Sequence, residues 1–291
     1  MGLRAKFNII MISVFLAGLG LSAYFARELA TKNARGQMLQ EASIIMRQAT
    51  AVRSYTSGEL RPLLAEQMNI RFLPHSVPSF AAQTVFRTMQ RDFRDYSYKE
   101  AALNPTNPSD RATEWEADII NMFKRNENLS EHVGTRDTPA GAMLTFSRPF
   151  RLTDRACLSC HSTPAAAPPT MIDLYGPSNG FGWVFGDVIG AQIVSVPLSV
   201  ALARADDILY AFVSMLTAIF IAILLVMNFL LHFVIIRPIQ RMDALARRAA
   251  EGDLEGEELE VKSRDEVASL ARSFNLMRRS LARSMSMLEA I

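Results

Sequence analysis

Three side chains in the stretch CLSCHSTPAAAPP have the types and spacing for chemistry. Cys157 and Cys160 are the only cysteines of the 291-residue chain, and His161 follows directly. Two thiols at this spacing can close a disulfide, supply part of a zinc site, or form thioethers with the two vinyl groups of a haem. In the haem case, the adjacent histidine is the proximal ligand of the iron.

The neighbouring sequence favours the haem. A thioredoxin-like pair is expected at the start of a helix in a βαβ unit, but here a proline-rich segment, residues 162–169, follows the motif. A zinc site needs three or four ligands, and residues 27–207 add only His75 and His132 besides carboxylates. We therefore predict one covalently attached haem c, held by Cys157 and Cys160 and ligated by His161. An incidental disulfide is the alternative.

The sixth ligand of the iron is left open by the sequence. Met46 lies on the apolar side of a helix-like stretch, where it can equally be a core residue. His75 lies between two prolines, in a predicted loop that solvent can reach. An open or water-occupied position would favour gas binding. The methionines of residues 27–207 are all available as ligands: Met38, Met46, Met68, Met89, Met122, Met143 and Met171.

The glycine-rich stretch YGPSNGFGWVFGD, residues 175–187, resembles a phosphate loop only superficially. No helix follows its glycines and no lysine is near, so a nucleotide is not expected. Glycines here can let the backbone approach a flat haem. We predict Tyr175 and Trp183 as further cofactor-binding residues.

Composition and hydropathy predict a membrane protein. Hydrophobic residues make up 49% of the chain, and residues 7–26 and 208–236 carry no charge. Each run is long enough to cross a hydrocarbon core. A cleaved signal peptide is the alternative for the first run, although 20 apolar residues favour an anchor. Arginines after the second run predict that this end is cytoplasmic. The net charge of +2 argues against a nucleic-acid partner.

The outer segment is predicted to be α+β. Residues 33–69 and 79–93 have helical spacing, and Thr113 with Glu116 has the pattern of a capping box at the start of a third helix. Residues 142–150 alternate as a strand does, and residues 180–198 are predicted to form a pair of strands with glycines at the turn. The motif would then lie between strands.

The inner segment predicts two amphipathic helices. The first carries an apolar stripe from Ile239 to Ala249, and a connector over residues 252–262 follows with Leu254, Leu259 and Val261 as its apolar positions. Two such helices cannot bury their stripes alone, so we expect a homodimer that forms a four-helix bundle. The second helix has the spacing of a coiled-coil seam at Val267, Leu270, Phe274, Met277 and Leu281.

Two resemblances follow from these residues. Pro238, the connector and Asp265 with Glu266 are similar to the HAMP signal-relay module of bacterial receptors, over about residues 233–287. The motifs VPSFAAQTVF, YKEAALNPTNPSD, CLSCHSTPAAAP, YGPSNGFGW and GAQIVSVP resemble a family of periplasmic PAS-like haem c sensor domains, across about residues 36–200. The second resemblance implies a PAS-like fold that binds haem c through the C-x-x-C-H motif and senses redox state or a diatomic ligand.

The sequence thus predicts a sensor rather than an enzyme, in the bacterial inner membrane with both termini cytoplasmic. Its partners would be the membrane, a second copy of the chain, a diatomic ligand or redox partner, and a cytoplasmic signalling protein such as a kinase or cyclase. The separate signalling protein is expected because no histidine follows His232. A membrane-anchored c-type cytochrome is the alternative, and a haem enzyme would need distal acid and base groups. The predicted segments are a cytoplasmic N-terminus 1–6, spans 7–26 and 208–236, a periplasmic sensor domain 27–207 and a relay 237–291.

Overall fold

The computed structural model describes residues 2–253, 258–259 and 265–289. The chain divides into two compact units. One is Phe25–Leu209, which we call the sheet domain. The segments before and after it make up the other, which we call the helical unit.

The sheet domain is built on four antiparallel strands in the order β1-β4-β3-β2. β2 and β3 form a hairpin, and β4 lies between β1 and β3. Helices and sheet together confirm the mixed class expected from the sequence. The strands are β1 Ser97–Ala102, β2 His132–Thr138, β3 Gly141–Arg151 and β4 Val188–Pro197.

Helices precede the sheet, separate its strands and follow it. The first helix, α1, spans Leu3–Tyr55 and is continued by a π-helical turn, Thr56–Leu60. Short 3-10 turns occur at Pro74–Ser76, Pro108–Asp110 and Arg155–Cys157. The remaining helices in and beyond the sheet domain are α2 Arg61–Leu63, α3 Ala65–Ile70, α4 Pro78–Met89, α5 Glu114–Arg125, α6 Leu158–His161, α7 Pro169–Tyr175 and α8 Leu198–Leu230.

The sheet buries both of its faces. Because side chains alternate along a strand, Val194 and Val196 of β4 pack with α1 and α4, while Ala191 and Ile193 pack on the other face with α5. Alanines at Ala30, Ala34, Ala42 and Ala49 line the buried side of α1, as do Met38, Ile45 and Met46. This arrangement fixes α1 against the sheet at one side of the domain.

The predicted capping box is confirmed. Thr113 is the N-cap of α5, and its backbone N–H donates to the carboxylate of Glu116 at 2.7 Å. Glu116 also receives a hydrogen bond from Lys99 on β1, at 2.7 Å. The same carboxylate therefore starts the helix and joins it to the sheet.

The predicted pair of strands over residues 180–198 is wrong, because only Val188–Pro197 is a strand. Gly180, Gly182 and Gly186 adopt positive φ angles of 84°, 78° and 95°, which extended strands do not allow. The backbone of this segment forms its hydrogen bonds elsewhere. Gly182 and Trp183 donate to the carbonyls of Ser162 and His161, at 2.9 and 3.2 Å. The segment is a loop that packs on the C-x-x-C-H motif.

The helical unit contains apolar parts of α1 and α8, followed by a π-helical turn, Leu231–Ile236, and by α9 Arg237–Ala250 and α10 Glu266–Glu289. By length and composition, the helical stretches Leu3–Leu63 and Leu198–Ala250 could each cross a membrane. The amides of Asn8 and Asn228 donate to each other, at 3.1 and 2.9 Å. The π turn ends two residues before Pro238, whose ring would clash with the carbonyl oxygen of the residue four positions earlier in a regular α-helix.

Each of the two inner helices has buried apolar residues. Met242 of α9 and Ala268 and Ala271 of α10 are buried, while Asn275 bonds both backbone groups of Leu259 in the connector. Three of the predicted seam residues, Leu270, Met277 and Leu281, are about half exposed in a single chain. The connector positions Leu254 and Val261 lie outside the described residues.

Candidate functional site

The C-x-x-C-H motif lies in two short helical turns between β3 and β4. Asp154 accepts the Ala156 N–H at 2.8 Å and so starts the turn that ends at Cys157. α6 follows and carries Cys160 and His161. Both cysteines are free thiols and partly buried. The helical turns bring all three side chains to the lining of one cavity.

The His161 ring is held in one orientation. Its Nδ1 lies 2.7 Å from the carbonyl oxygen of Gly180, so Nδ1 carries the proton and donates, since a carbonyl can only accept. The indole of Trp183 stacks on the ring, with centroids 3.8 Å apart. Burial lowers the pKa of His161, which keeps the ring neutral. A neutral imidazole bonded through Nδ1 leaves Nε2 free to bind a metal.

The cavity has a volume of about 250 Å³ and lies entirely within the sheet domain. Tyr175 and Trp183, both predicted from the sequence, line it together with the motif. Apolar side chains from several elements complete most of the wall, including Phe72, Val77, Phe80, Phe150, Met171 and Ile189. A largely apolar cavity with a few polar groups is typical of a cofactor site.

Arg61 braces the motif. Its guanidinium donates to the carbonyl of Ala156 at 2.9 Å and to the hydroxyl of Ser159 at 2.7 Å. The Cys160 sulfur lies 3.8 Å from the same nitrogen. Arg61 therefore ties the segment after α1 to the turns that carry the cysteines.

An ion pair forms part of the cavity wall. Arg53, near the end of α1, pairs with Glu100 on β1. Tyr98 donates to the same carboxylate at 2.6 Å, and Gln192 of β4 donates to the Tyr98 hydroxyl at 2.8 Å. The Arg53 guanidinium also lies over the ring of Phe150, 3.9 Å from its centre. This network joins α1 to three strands, β1, β3 and β4.

The Cys157 thiol lacks the environment of a reactive cysteine. Burial, followed by the nearby Asp154 carboxylate, raises the pKa of Cys157. A catalytic thiolate would need a lowered pKa. The described residues contain no group of three or more His, Cys, Asp or Glu that could hold a metal ion.

The two candidates for the sixth ligand lie apart from the lining. Met46 is fully buried in the core between α1 and the sheet. His75 lies in the 3-10 turn Pro74–Ser76, and its ring packs against Phe80 of α4. Its neighbours Pro74 and Ser76 line the cavity. Met68 and Met171 do line it, and the Met68 sulfur accepts bonds from Leu73 N–H and Ser76 hydroxyl at 3.3 Å each.

Sequence reasoning did not single out several polar residues of the lining, among them Arg53, Arg61, Gln83, Glu100 and Asp110. These residues come from α1, α2, α4, β1 and a 3-10 turn, and no short motif joins them. Glu100 lies beside Lys99 in the strand SYKEAA, where both read as surface residues, so the local sequence gives no signal of the Arg53 partner.

Gly180 supports the orientation of His161. A Cβ atom there would lie 2.0 Å from the Thr106 hydroxyl oxygen, and the φ angle of 84° strains any other residue. We expect Gly180→Ala to lower the free energy of unfolding by about 1–3 kcal/mol. Gly176→Ala is the control, because Gly176 has φ of 77° but open space around it. Thermal unfolding that is equal for both variants would contradict a role for the Thr106 contact.

Two family models match the chain. The Tll0287-like model matches residues 31–197, more than half of the 291 residues, so the chain belongs to the Tll0287-like family. The HAMP domain model matches residues 230–283. A family domain between two candidate membrane helices, followed by a HAMP domain, is the architecture of a membrane signal-transduction protein.

A solved structure is also similar, the "Crystal structure of the cyanobacterial heme-protein Tll0287". It shares 18% sequence identity at a TM-score of 0.44, with 55% of this chain and 95% of that chain covered. No curated protein matches the sequence.

Proposed function

We propose that this chain is a membrane-bound haem c sensor that detects redox state or a diatomic gas in the periplasm. The observation that supports this most strongly is the orientation of the His161 ring, which is fixed through Nδ1 and leaves Nε2 free. Two free thiols lie beside this ring on the wall of an apolar cavity. Cys157 and Cys160 would hold the haem by thioethers, and His161 would be the axial ligand. Tyr175 and Trp183 would contact the ring.

The residues present fit a haem. Their donor set is two thiols and one imidazole, which is the set that covalent attachment needs and one too small for a structural zinc. A bound haem supplies an iron whose charge and ligation change with reduction or with a gas. The chain's own residues then orient the imidazole through Gly180 and brace the cysteine turns through Arg61.

A second network supports transmission out of the sheet domain. Glu41 of α1 accepts two hydrogen bonds from Arg204 of α8, at 3.1 and 3.3 Å, and Tyr96 also donates to it. The burial of Tyr96, followed by its bond to Glu41, raises the pKa of its hydroxyl, so Tyr96 stays a donor. α1 and α8 are thereby joined within the domain, and α1 also carries Arg53 at the cavity. A shift of α1 at Arg53 would thus act on the contact with α8.

The sheet domain, over about residues 27–207, would be PAS-like and periplasmic, with both termini in the cytoplasm of a bacterial cell. The half-exposed seam of α10 would pack against a second copy of the chain. The relay would then act on a cytoplasmic signalling protein such as a kinase or a cyclase, without catalysis by this chain.

A membrane-anchored cytochrome for electron transfer is the second candidate. Its support is the same C-x-x-C-H site, which serves an electron carrier equally well. The HAMP domain favours the sensor, because an anchored carrier needs no two-helix relay.

The test is the absorption spectrum of the full chain, produced with haem-maturation machinery, oxidised and reduced, with and without carbon monoxide. We expect a covalent haem spectrum. A reduced spectrum that carbon monoxide changes would assign gas sensing, and one that it leaves unchanged would assign a redox signal. Absence of any haem from protein matured in this way would overturn the proposal.

A further inference from the structure

Two carboxylates line the cavity, and their surroundings differ. Glu100 is ion-paired with Arg53 and bonded by Tyr98. Asp110, in the 3-10 turn after β1, receives one side-chain hydrogen bond, from the Gln83 amide to Oδ1 at 3.0 Å. Within the part of the chain that the structure describes, no lysine or arginine forms an ion pair with Asp110. One negative charge of the cavity is therefore neutralised locally and the other is not.

The surroundings of Asp110 make the negatively charged form of its side chain unfavourable. Its electrostatic neighbours are Arg87 on α4, Lys99 and Glu100 on β1, and Tyr175 on α7. The nearby Glu100 carboxylate disfavours the ionised form, while the two cations favour it without contact. Burial is the largest cause and raises the pKa of Asp110, so proton binding there becomes easier than for an ordinary aspartate.

We propose that Asp110 is a proton-binding site of the cavity, where one solvent proton is taken up when one negative charge enters. The proton goes to Oδ2, since Oδ1 accepts from Gln83. Coupling to reduction rests on the proposed haem function. With haem bound, one electron from an external one-electron donor, dithionite in the test, would reduce the iron, and one proton from water would neutralise Asp110. The total charge of the cavity would then stay the same.

The sign of the effect on stability follows from linkage and requires no haem. Because the folded state holds the Asp110 proton more tightly than the unfolded state, stability falls as pH rises from the ordinary aspartate pKa through the raised one. Asp110→Asn keeps the oxygen that accepts from Gln83 and cannot ionise. We expect the variant to be as stable as wild type at about pH 4 and more stable at about pH 8.

The experiment uses the full chain in detergent, with unfolding temperatures and reduction potentials measured across this pH range. Asp173→Asn is the control, since Asp173 is exposed and lies on α7. Gln83→Leu removes the donor that favours the ionised form, so proton affinity at Asp110 should rise roughly two- to tenfold. If Gln83 had only a structural role, its replacement would not shift the pH at which the unfolding temperature and the reduction potential change.

The two proposals fail in different ways. If the chain produced with haem-maturation machinery contained no haem, the proposed function would be overturned. The unfolding measurements would still test the proton site at Asp110. In haem-loaded chain, the wild-type potential should fall with rising pH over the window in which Asp110 titrates, and that dependence should disappear in Asp110→Asn. Unfolding profiles of wild type and Asp110→Asn that run parallel over the whole range would overturn the proton site. An unchanged pH dependence of the potential in the variant would overturn the coupling.

Discussion

Replacement of both Cys157 and Cys160 by alanine is expected to abolish covalent attachment of haem completely. A thioether needs a thiol, and the chain has no third cysteine that could substitute. Each single variant keeps one thiol at the cavity and is expected to retain a weaker covalent signal. The measurement is haem staining after denaturing electrophoresis, together with the mass of the intact chain.

Ser162→Ala is the matched control, because it lies directly after the motif and leaves all three donors in place. It should stain as strongly as wild type. A double variant that still carried covalent pigment would show that the attachment site is elsewhere. Unstained wild type whose thiols resist alkylation until they are reduced would instead support the disulfide.

The second large effect is expected at the ion pair between Arg53 and Glu100. The side chains of these residues are only 14% and 5% exposed, so removal of one partner leaves a charge that water cannot reach. We expect Arg53→Met to destabilise the protein by about 3–5 kcal/mol. The double variant Arg53→Met with Glu100→Gln should be less damaged than the sum of the two single variants, because neither charge is then left alone.

An exposed pair serves as the control for this cycle. Arg148 and Glu131 lie 3.2 Å apart at the surface, with side chains 27% and 51% exposed. Arg148→Met should cost less than about 1 kcal/mol, because water screens such pairs. Thermal unfolding of the four proteins of the Arg53 cycle and of this control measures the difference. A loss at Arg53 as small as that at Arg148 would mean that solvent reaches the cavity wall.

The features that could be predicted from the sequence are those with a local cause. The spacing of Cys157, Cys160 and His161 is a property of five consecutive residues, and the capping box of α5 needs only Thr113 and Glu116. The apolar runs and the inner amphipathic helices are also visible in short windows. These patterns depend on neighbours along the chain, so a single sequence contains them.

The features that were missed depend on distant parts of the chain. β1 contains Lys99 and Glu100, which look like surface residues until Glu116 and Arg53 provide their partners. β2 alternates between partly buried and exposed positions at the edge of the sheet and has a weak apolar signal. The stretch GWVF resembled a strand because it contains a run of aromatic and β-branched residues, which strands favour, although the glycines beside them adopt positive φ angles.

The cavity wall was the least predictable part of the site. Arg53, Glu100 and Asp110 come from three elements, and only the tertiary fold decides which carboxylate receives a cation. Met46 illustrates the same limit. Its spacing on α1 was compatible with a ligand and with a core residue, and the sheet covers it completely.

The π-helical turn at Leu231–Ile236 has a consequence for the geometry of the relay. A π turn holds one more residue than the α-helix needs to close the same turn, so it is equivalent to a single inserted residue. Rewinding it to α would rotate all following positions by about 100° around the helix axis relative to those before it. α9 follows immediately, so this rotation would move Met242 away from its buried position and bring a residue from another face of α9 there. Deletion of one residue in this turn would therefore leave the helix continuous but rotate α9 relative to the helix before it.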